Sequence, residues 1–170
     1  AEPVDPLRSP DLIPVERVFA EPISAAETIA TAIGRYPFKS DRERDLVHVD
    51  IQTDFHYYGS ALLVTHTLFN LIKNALHSVI KAGKGDITIR AIAGEERQQI
   101  IVRDGGLGIS SVDQRHLFEH FYSSKSVEEG SGVGLSFCKR VMESLGGAIS
   151  CRSVVGEYAE FILTFPNRAP

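Results

Sequence analysis

From Leu68 to Ile80 the apolar residues recur three and four apart: Leu68, Leu71, Ile72, Ala75, Leu76, Val79 and Ile80. That spacing predicts an amphipathic helix, capped by Ser60, reaching about Ala82 and closed by Gly83 to Gly85. A polar stripe on the same helix carries His66, Asn70, Asn74 and His77. Asparagine is a poor choice inside a helix because its amide competes for the backbone. Two of them one turn apart mark either a solvated face or a surface that binds something.

The rest of the pattern is shorter in range. Ser24-Ala-Ala-Glu27 matches a capping box, in which Ser24 accepts from the helix start and Glu27 reaches back. The helix it opens carries Ile29, Ile33 and Tyr36 on one side and must stop before Pro37. Lys39 to Asp45 reads as a charged turn, and Val47, Val49 and Ile51 alternate with His48 and Asp50 as a strand with one wet face. Phe55 to Tyr58 is a second short strand or an entry loop. Ile87, Ile89 and Ala91, then Gln98 to Arg103 across a turn at Gly94 to Arg97, read as a hairpin. A third helix is predicted over Gly132 to Leu145, with Phe137, Cys138, Val141, Met142 and Leu145 buried and Gly146-Gly147 as its stop. Ile149 to Ser153 and Tyr158 to Phe165 follow as strands joined at Gly156.

Three helices and about five strands, both adjacent and alternating, predict an α/β two-layer sandwich: a mixed sheet of about five strands with three helices packed on one face. Residues 1–20 hold four of the eight prolines and no sustained periodicity, so they read as a linker or trailing segment of a preceding domain. Residues 21–170 form the domain. Between Asp104 and Gly130 the pattern is weak apart from a helical turn around Val112 to Phe121. Such a stretch inside a compact domain is usually functional or mobile.

Composition narrows the classes. A length of 170 residues suits one domain, and 43% hydrophobic with 24% charged residues excludes a disordered chain. The net charge of −4 gives no basis for a nucleic acid or an anionic membrane surface as partner. No apolar run approaches the ~18 residues of a membrane span, and the N-terminus lacks a basic-then-apolar leader pattern. A cytoplasmic domain with no direct membrane contact is expected. Cys138 and Cys151 fall at apolar positions and are expected as free thiols; without a second pair a zinc knuckle is disfavoured.

Two glycine clusters carry candidate chemistry. Asp104-Gly-Gly-Leu-Gly-Ile109 follows a strand, where a carboxylate can accept from a ligand while glycines let the backbone come close. Its plain alternative is an Asp-Gly turn. Gly130-Ser-Gly-Val-Gly-Leu135 opens a helix, and exposed N–H groups there suit phosphate oxygens. Leu135 stands where the dinucleotide fingerprint needs glycine, and no strand directly precedes the cluster. A P-loop is excluded, because no Gly-x-x-x-x-Gly-Lys-Ser/Thr exists in the chain. His116-Leu-Phe-Glu119-His120 matches a zinc-protease pattern that also needs a stable helix and a third ligand, so this reading is disfavoured. His48 and His56 read as partly exposed strand residues, not ligands.

Taken together, Asn74, Asp104 to Gly108 and Gly130 to Gly134, on helix, strand end and helix start in that order, resemble the nucleotide-binding domain of the GHKL ATPase superfamily (Bergerat fold). Within it they look like the catalytic and ATP-binding domain of sensor histidine kinases. Asn70-Leu-Ile-Lys-Asn-Ala75 resembles its Asn box. Phe118-Glu-His-Phe121 followed by Tyr-Ser-Ser-Lys125 resembles the phenylalanine box of its lid, and Gly146-Gly147 with Gly156 to Phe161 its end. The likeness runs from about Ile23 to Pro166. Ala32 to Phe38 with Phe161 to Pro166 looks like quorum-sensing hybrid kinases.

The resemblance implies roles for single residues. Asn74 would hold Mg²⁺ through its amide oxygen, with Asn70 helping one turn away. Asp104 would accept from the adenine exocyclic amine, directly and through water. Gly106 and Gly108 would let the lid begin against the nucleotide. Lys125 and the N–H groups near Ser131, Gly132, Val133 and Gly134 would contact phosphate, and Ile109, Leu135 and Phe161 would line the adenine pocket. The catalytic set is then Asn70, Asn74 and Lys125. His77 stands where many members have Lys near the phosphates, which implies a weaker or pH-dependent contact. Gly105-Gly106-Leu107 replaces the more usual Asn-Gly-Pro, and a looser lid start is expected from it.

Asn70 occupies the place where gyrases, mismatch-repair ATPases and serine-directed members have a Glu general base. An amide takes no proton near neutral pH, so the resemblance favours transfer to an imidazole over hydrolysis. The accepting histidine would lie on a separate dimerisation hairpin, with the receiver domain of a response regulator as a further partner. A His followed by Glu or Asp on a long N-terminal helix is absent here, so the chain is expected to bind Mg-ATP without phosphorylating itself. The alternative reading is a degenerate nucleotide-sensing or partner-docking module without phosphotransfer.

Overall fold

The computed structural model describes residues 21–120 and 134–167. A short ribbon pairs β1 (Ile23–Ser24) antiparallel with β3 (His56–Tyr57). The main sheet holds β2 (Val47–Ile51), β4 (Ile87–Ala93), β5 (Gln98–Asp104), β6 (Ala148–Val154) and β7 (Tyr158–Phe165), in the spatial order β2-β4-β5-β7-β6. Only β2 and β4 run parallel; the other neighbours are antiparallel. Three long helices pack on this sheet: α1 (Ala25–Arg35), α3 (Ala61–Ala82) and α5 (Gly134–Ser144). Two helices of a single turn complete the set: α2 (Asp41–Arg44), within the stretch read as a charged turn, and α4 (Ser111–Gln114), at the start of the helical turn expected around Val112 to Phe121. Ser40 and Ser110 cap them, accepting from Glu43 N at 3.1 Å and Asp113 N at 3.1 Å. The mixed five-stranded sheet under one helical layer is the sandwich expected from the periodicity.

The helix α3 packs against both α1 and α5 and crosses the sheet above β4 and β5. Leu68, Leu71 and Ile72 have no exposed surface, so each contributes about 1.5–3 kcal/mol of burial. Ser60 accepts from Leu63 N at 3.2 Å at one end. At the other, Gly83 takes a left-handed φ of 67° and its N–H returns to Ile80 at 3.2 Å. The inward row of the sheet is apolar at Ile87, Ile89, Ala91, Ile100, Val102, Phe161 and Leu163. One register line breaks the rule: Ile87, Asp104, Ala159 and Ser153 stand side by side across four strands. A carboxylate at the end of β5 is thus turned into the helical layer.

Several local expectations change. Ser24 does accept from Glu27 N at 3.1 Å, but the second half of that cap comes from Asp54. Its carboxylate accepts from Ala26 N at 2.9 Å and from the Ser24 hydroxyl at 2.8 Å. On β2 the face shared with the core is itself exposed at Val49 (48%) and Ile51 (38%), because β2 is an edge strand paired only with β4. Phe137, expected in the core, is only partly buried, while Ser136 is buried. Cys138 is buried, Cys151 is half-buried, and both are free thiols. Burial pushes the Cys151 thiol up to about 12, with the charges of Asp104 and Glu160 adding to it.

Candidate functional site

Asn74 and Ser78 lie one turn apart on α3, 5% and 4% exposed. The Asn74 Nδ2 is buried and has no hydrogen-bond partner; the same holds for His77 Nε2. A buried polar atom left unpaired costs about 1–3 kcal/mol, so each of the two calls for an explanation. Asn70, one turn before Asn74, turns its amide back on its own helix and donates to the His66 carbonyl at 3.0 Å.

Asp104 meets this face from the sheet. It is 4% exposed, and its Oδ1 accepts from Gly106 N at 3.0 Å. Burial raises its pKa above the ordinary carboxylate value. The Gly106 N–H, the Ser78 hydroxyl and the charge of Arg103 pull in the other direction. Ser78 escapes a reading of the sequence, where a lone serine among apolar positions looks like filler. Its signal is the four-residue step from Asn74, which places both on one stripe.

The backbone after Asp104 is held on three sides. Gly105 N donates to Asp86 O at 3.1 Å, Leu107 N to Ser78 Oγ at 2.9 Å, and Ile109 N to Ser153 Oγ at 2.7 Å. Gly156 N donates back to Leu107 O at 2.7 Å, and Lys84 Nζ holds the Gly156 carbonyl. The looser start expected from Gly105-Gly106-Leu107 is therefore not seen over residues 105–109. Partners on α3 and on the β6–β7 hairpin supply the rigidity that a proline would have supplied locally. The glycines are required by space. A Cβ on Gly106 would lie 2.4 Å from Ser78 Oγ, and one on Gly108, at φ +67°, would lie 2.2 Å from Val154 O.

Ile109, Leu135 and Phe161 are 3–5% exposed and belong to one apolar cluster. Phe118 meets Phe161 edge-on, with ring centroids 6.4 Å apart. Gly134 opens α5 and is buried. Lys125, Ser131, Gly132 and Val133 lie outside the described residues, as does Phe121. His77 lines a groove of about 530 Å³ between α3 and the α1–α2 connection, together with Tyr36, Lys39, Glu43, Lys73 and Lys81 and without Asp104.

The zinc-protease pattern falls apart in space. The helix α4 ends at Gln114, before the motif begins. His116 Nδ1 pairs with Glu119 at 2.8 Å, and His120 Nδ1 lies 3.1 Å from Ser136 on α5. Among the described residues no three His, Cys, Asp or Glu side chains converge on a metal position. His48 lies 3.2 Å from Asp86, and no helix among the described residues is long and apolar enough to cross a membrane.

Residues 59–169 match the family model described as "Histidine kinase-, DNA gyrase B-, and HSP90-like ATPase". The chain is 35% identical over 145 residues to the CAI-1 autoinducer sensor kinase/phosphatase CqsS of Vibrio cholerae serotype O1, covering 85% of this chain and 21% of that protein. It is 34% identical over 149 residues to the autoinducer 1 sensor kinase/phosphatase LuxN of Vibrio campbellii, covering 86% and 17%. The chain therefore spans about a fifth of the length of these curated relatives. Among solved structures, the mycobacterial sensor histidine kinase MprB superposes with a TM-score of 0.70 at 22% identity, over 88% of this chain and 99% of that one. Full-length ShkA in complex with AMPPNP gives 0.70 at 21%, over 88% and 32%. At these identities the structural likeness speaks for the fold.

Proposed function

The chain belongs to the histidine kinase-, DNA gyrase B- and HSP90-like ATPases, and from that premise we propose that it binds Mg-ATP and donates the γ-phosphoryl group to a histidine on a separate dimerisation hairpin of a two-component sensor kinase. ATP binding and phosphoryl transfer are the work of histidine kinases in this family. The observation that carries the reading for this chain is the buried Asn74 Nδ2 left without a partner, one turn from the Ser78 that favours the charged form of Asp104.

The donor set fits the ligand. Asn74 would offer an amide oxygen to Mg²⁺, a hard cation that favours oxygen. When bound, the ion offsets charge on the phosphate oxygens. Asp104 is an acceptor aimed into the helical layer and suits an exocyclic amine. Ile109, Leu135 and Phe161 would keep water from the base, and the cradle of Gly106 and Gly108 admits no side chain. Contacts of Lys125, His77 and the amides of residues 131–134 with phosphate are proposed from the family resemblance alone. Asn70 offers no base for activating water, whereas an imidazole needs none to act as nucleophile. The receiver domain of a response regulator is the proposed next partner, and the cytoplasm the proposed compartment.

The test is thermal unfolding with ATP or a non-hydrolysable analogue, with and without Mg²⁺. Ligand at about a hundredfold over Kd stabilises by ~2.7 kcal/mol, or about 5–10 °C for a domain of this size. A Mg²⁺-dependent rise is expected. No rise at millimolar ATP would overturn the reading. With a dimerisation hairpin supplied in trans and labelled ATP, label is expected on the hairpin and not on this chain; stable phosphohistidine on the chain alone would contradict the transfer scheme.

A further inference from the structure

We propose that Ser78 is the positioning residue for base selectivity: its hydroxyl, reaching from α3, holds the Asp104 carboxylate and the Leu107 amide in one arrangement, so that the pocket shows a fixed acceptor to the nucleobase. This rests on the ATP reading above.

The geometry leaves the hydroxyl little choice. Ser78 is 4% exposed. Its oxygen accepts from Leu107 N at 2.9 Å, so its hydrogen is free to turn toward the Asp104 carboxylate, whose charged form the hydroxyl favours. Gly106 N donates to Oδ1 of the same carboxylate at 3.0 Å. Donors from helix and loop thus fix the plane of the carboxylate, and the loop cannot shift toward α3, since even a Cβ on Gly106 would overlap Ser78. What remains is acceptor capacity, which a base with an exocyclic amine satisfies. A guanine carbonyl at the same edge would set acceptor against acceptor, and rejection by an unmatched buried polar pair is strong.

The charged and titratable groups on the elements packed around Asp104 are Arg103 beside it, Arg90 on β4, Cys151 and Arg152 on β6, Tyr158 and Glu160 on β7, Lys84 and Asp86 in the turn into β4, and His66, Lys73, His77 and Lys81 on α3. Glu160 is tied to Arg103 at 3.1 Å, and the Cys151 thiol, pushed up to about 12, stays neutral. Among hydrogen bonds to the carboxylate, those of Gly106 and Ser78 favour its charged form against burial. A protonated Asp104 would be a donor and would lose its preference for an amine.

The experiment measures ATP and GTP affinity by calorimetry over a series of pH values from acid to neutral, for wild type, Ser78→Ala and Ser78→Cys. Thermal melts of the free proteins report folding. In Ser78→Ala the acid-side loss of ATP affinity should move to higher pH, and the preference for ATP over GTP should fall about tenfold, as for one lost bond to a charged group. Ser78→Cys, similar in size with a weak donor, should fall between and carries the test if the alanine variant does not fold. An unchanged profile, or an affinity lowered by the same factor at every pH with the ATP/GTP ratio intact, would overturn the assignment. A wild type that binds neither nucleotide at any pH would instead overturn the ATP reading beneath it.

Discussion

The N–H of Gly156, at the tip of the β6–β7 hairpin, donates to the carbonyl of Leu107 across 2.7 Å. The hairpin thereby fixes the segment leaving β5, although the two residues are far apart in the chain. Gly156 holds φ at +77°, and a Cβ there would have no atom within 4 Å. Alanine meets no clash at this position and feels only the left-handed strain of an L-residue, about 1–2 kcal/mol. Gly156→Ala should lower the thermal midpoint by about 2–8 °C, read by calorimetric melts.

Gly106→Ala tests a different cost. Its Cβ would meet the Ser78 backbone carbon at 2.6 Å and oxygen at 2.7 Å, atoms of a buried helix that cannot swing aside. A loss of about 1–3 kcal/mol is expected together with at least a tenfold loss in ATP affinity. Gly34, inside α1, has nothing within 4 Å of the place its Cβ would take. Gly34→Ala should stabilise by about 0.5–1 kcal/mol and leave binding intact. Equal melts for the two variants would contradict the packing argument.

Asn74→Ala should separate binding from stability. The small cavity it leaves is offset by removal of a buried Nδ2 that has no partner. The free protein should change by less than about 1 kcal/mol, while the Mg²⁺-dependent rise in thermal midpoint with ATP disappears. A large loss of stability in the free variant would mean that the amide is structural.

Asp104 gives a pH signature. Its folded pKa lies above the ordinary 3.8, chiefly through burial. The folded state therefore binds the proton more tightly than the unfolded chain. The stabilising contribution is complete below the ordinary value and is lost as pH rises through the folded value. At neutral pH the ionised carboxylate is a net cost to the fold. Asp104→Asn, which cannot ionise, should melt above wild type near neutrality, the gap closing as the medium is acidified below the ordinary value, and should not bind ATP. A variant that melts lower near neutrality would show that the bonds from Gly106 and Ser78 outweigh burial.

Much of the architecture is legible in the chain because burial follows periodicity. The apolar steps from Leu68 to Val79 place α3, and the two asparagines stand out on its polar stripe. Asp104 is visible because a strand ends there. What escapes depends on contacts between distant residues. Asp54 completes the cap of α1 across 28 residues, and no local motif records that. Ser78 gains its role only when β5 docks beneath α3. Val49 and Ile51 alternate like core residues, yet the sheet order leaves them at an edge. The tightness of residues 105–109 is invisible locally because its donors and acceptors sit on α3, the turn into β4, and the β6–β7 hairpin.

The sheet register also bears on how the chain folds. β4 and β5 meet through a four-residue turn, whose Gly94 N donates to Arg97 O at 2.9 Å, so this hairpin closes locally. Asp104, however, sits between Ile87 on β4 and Ala159 on β7, and joining β7 to β5 means closing the long intervening excursion. Closure entropy delays such non-local pairings. The side of the Asp104 environment formed by β7 is therefore completed late. During synthesis, the surroundings of Asp104 are complete only after β7 has emerged and docked, so on the proposed function nucleotide binding would report completion of the whole sheet.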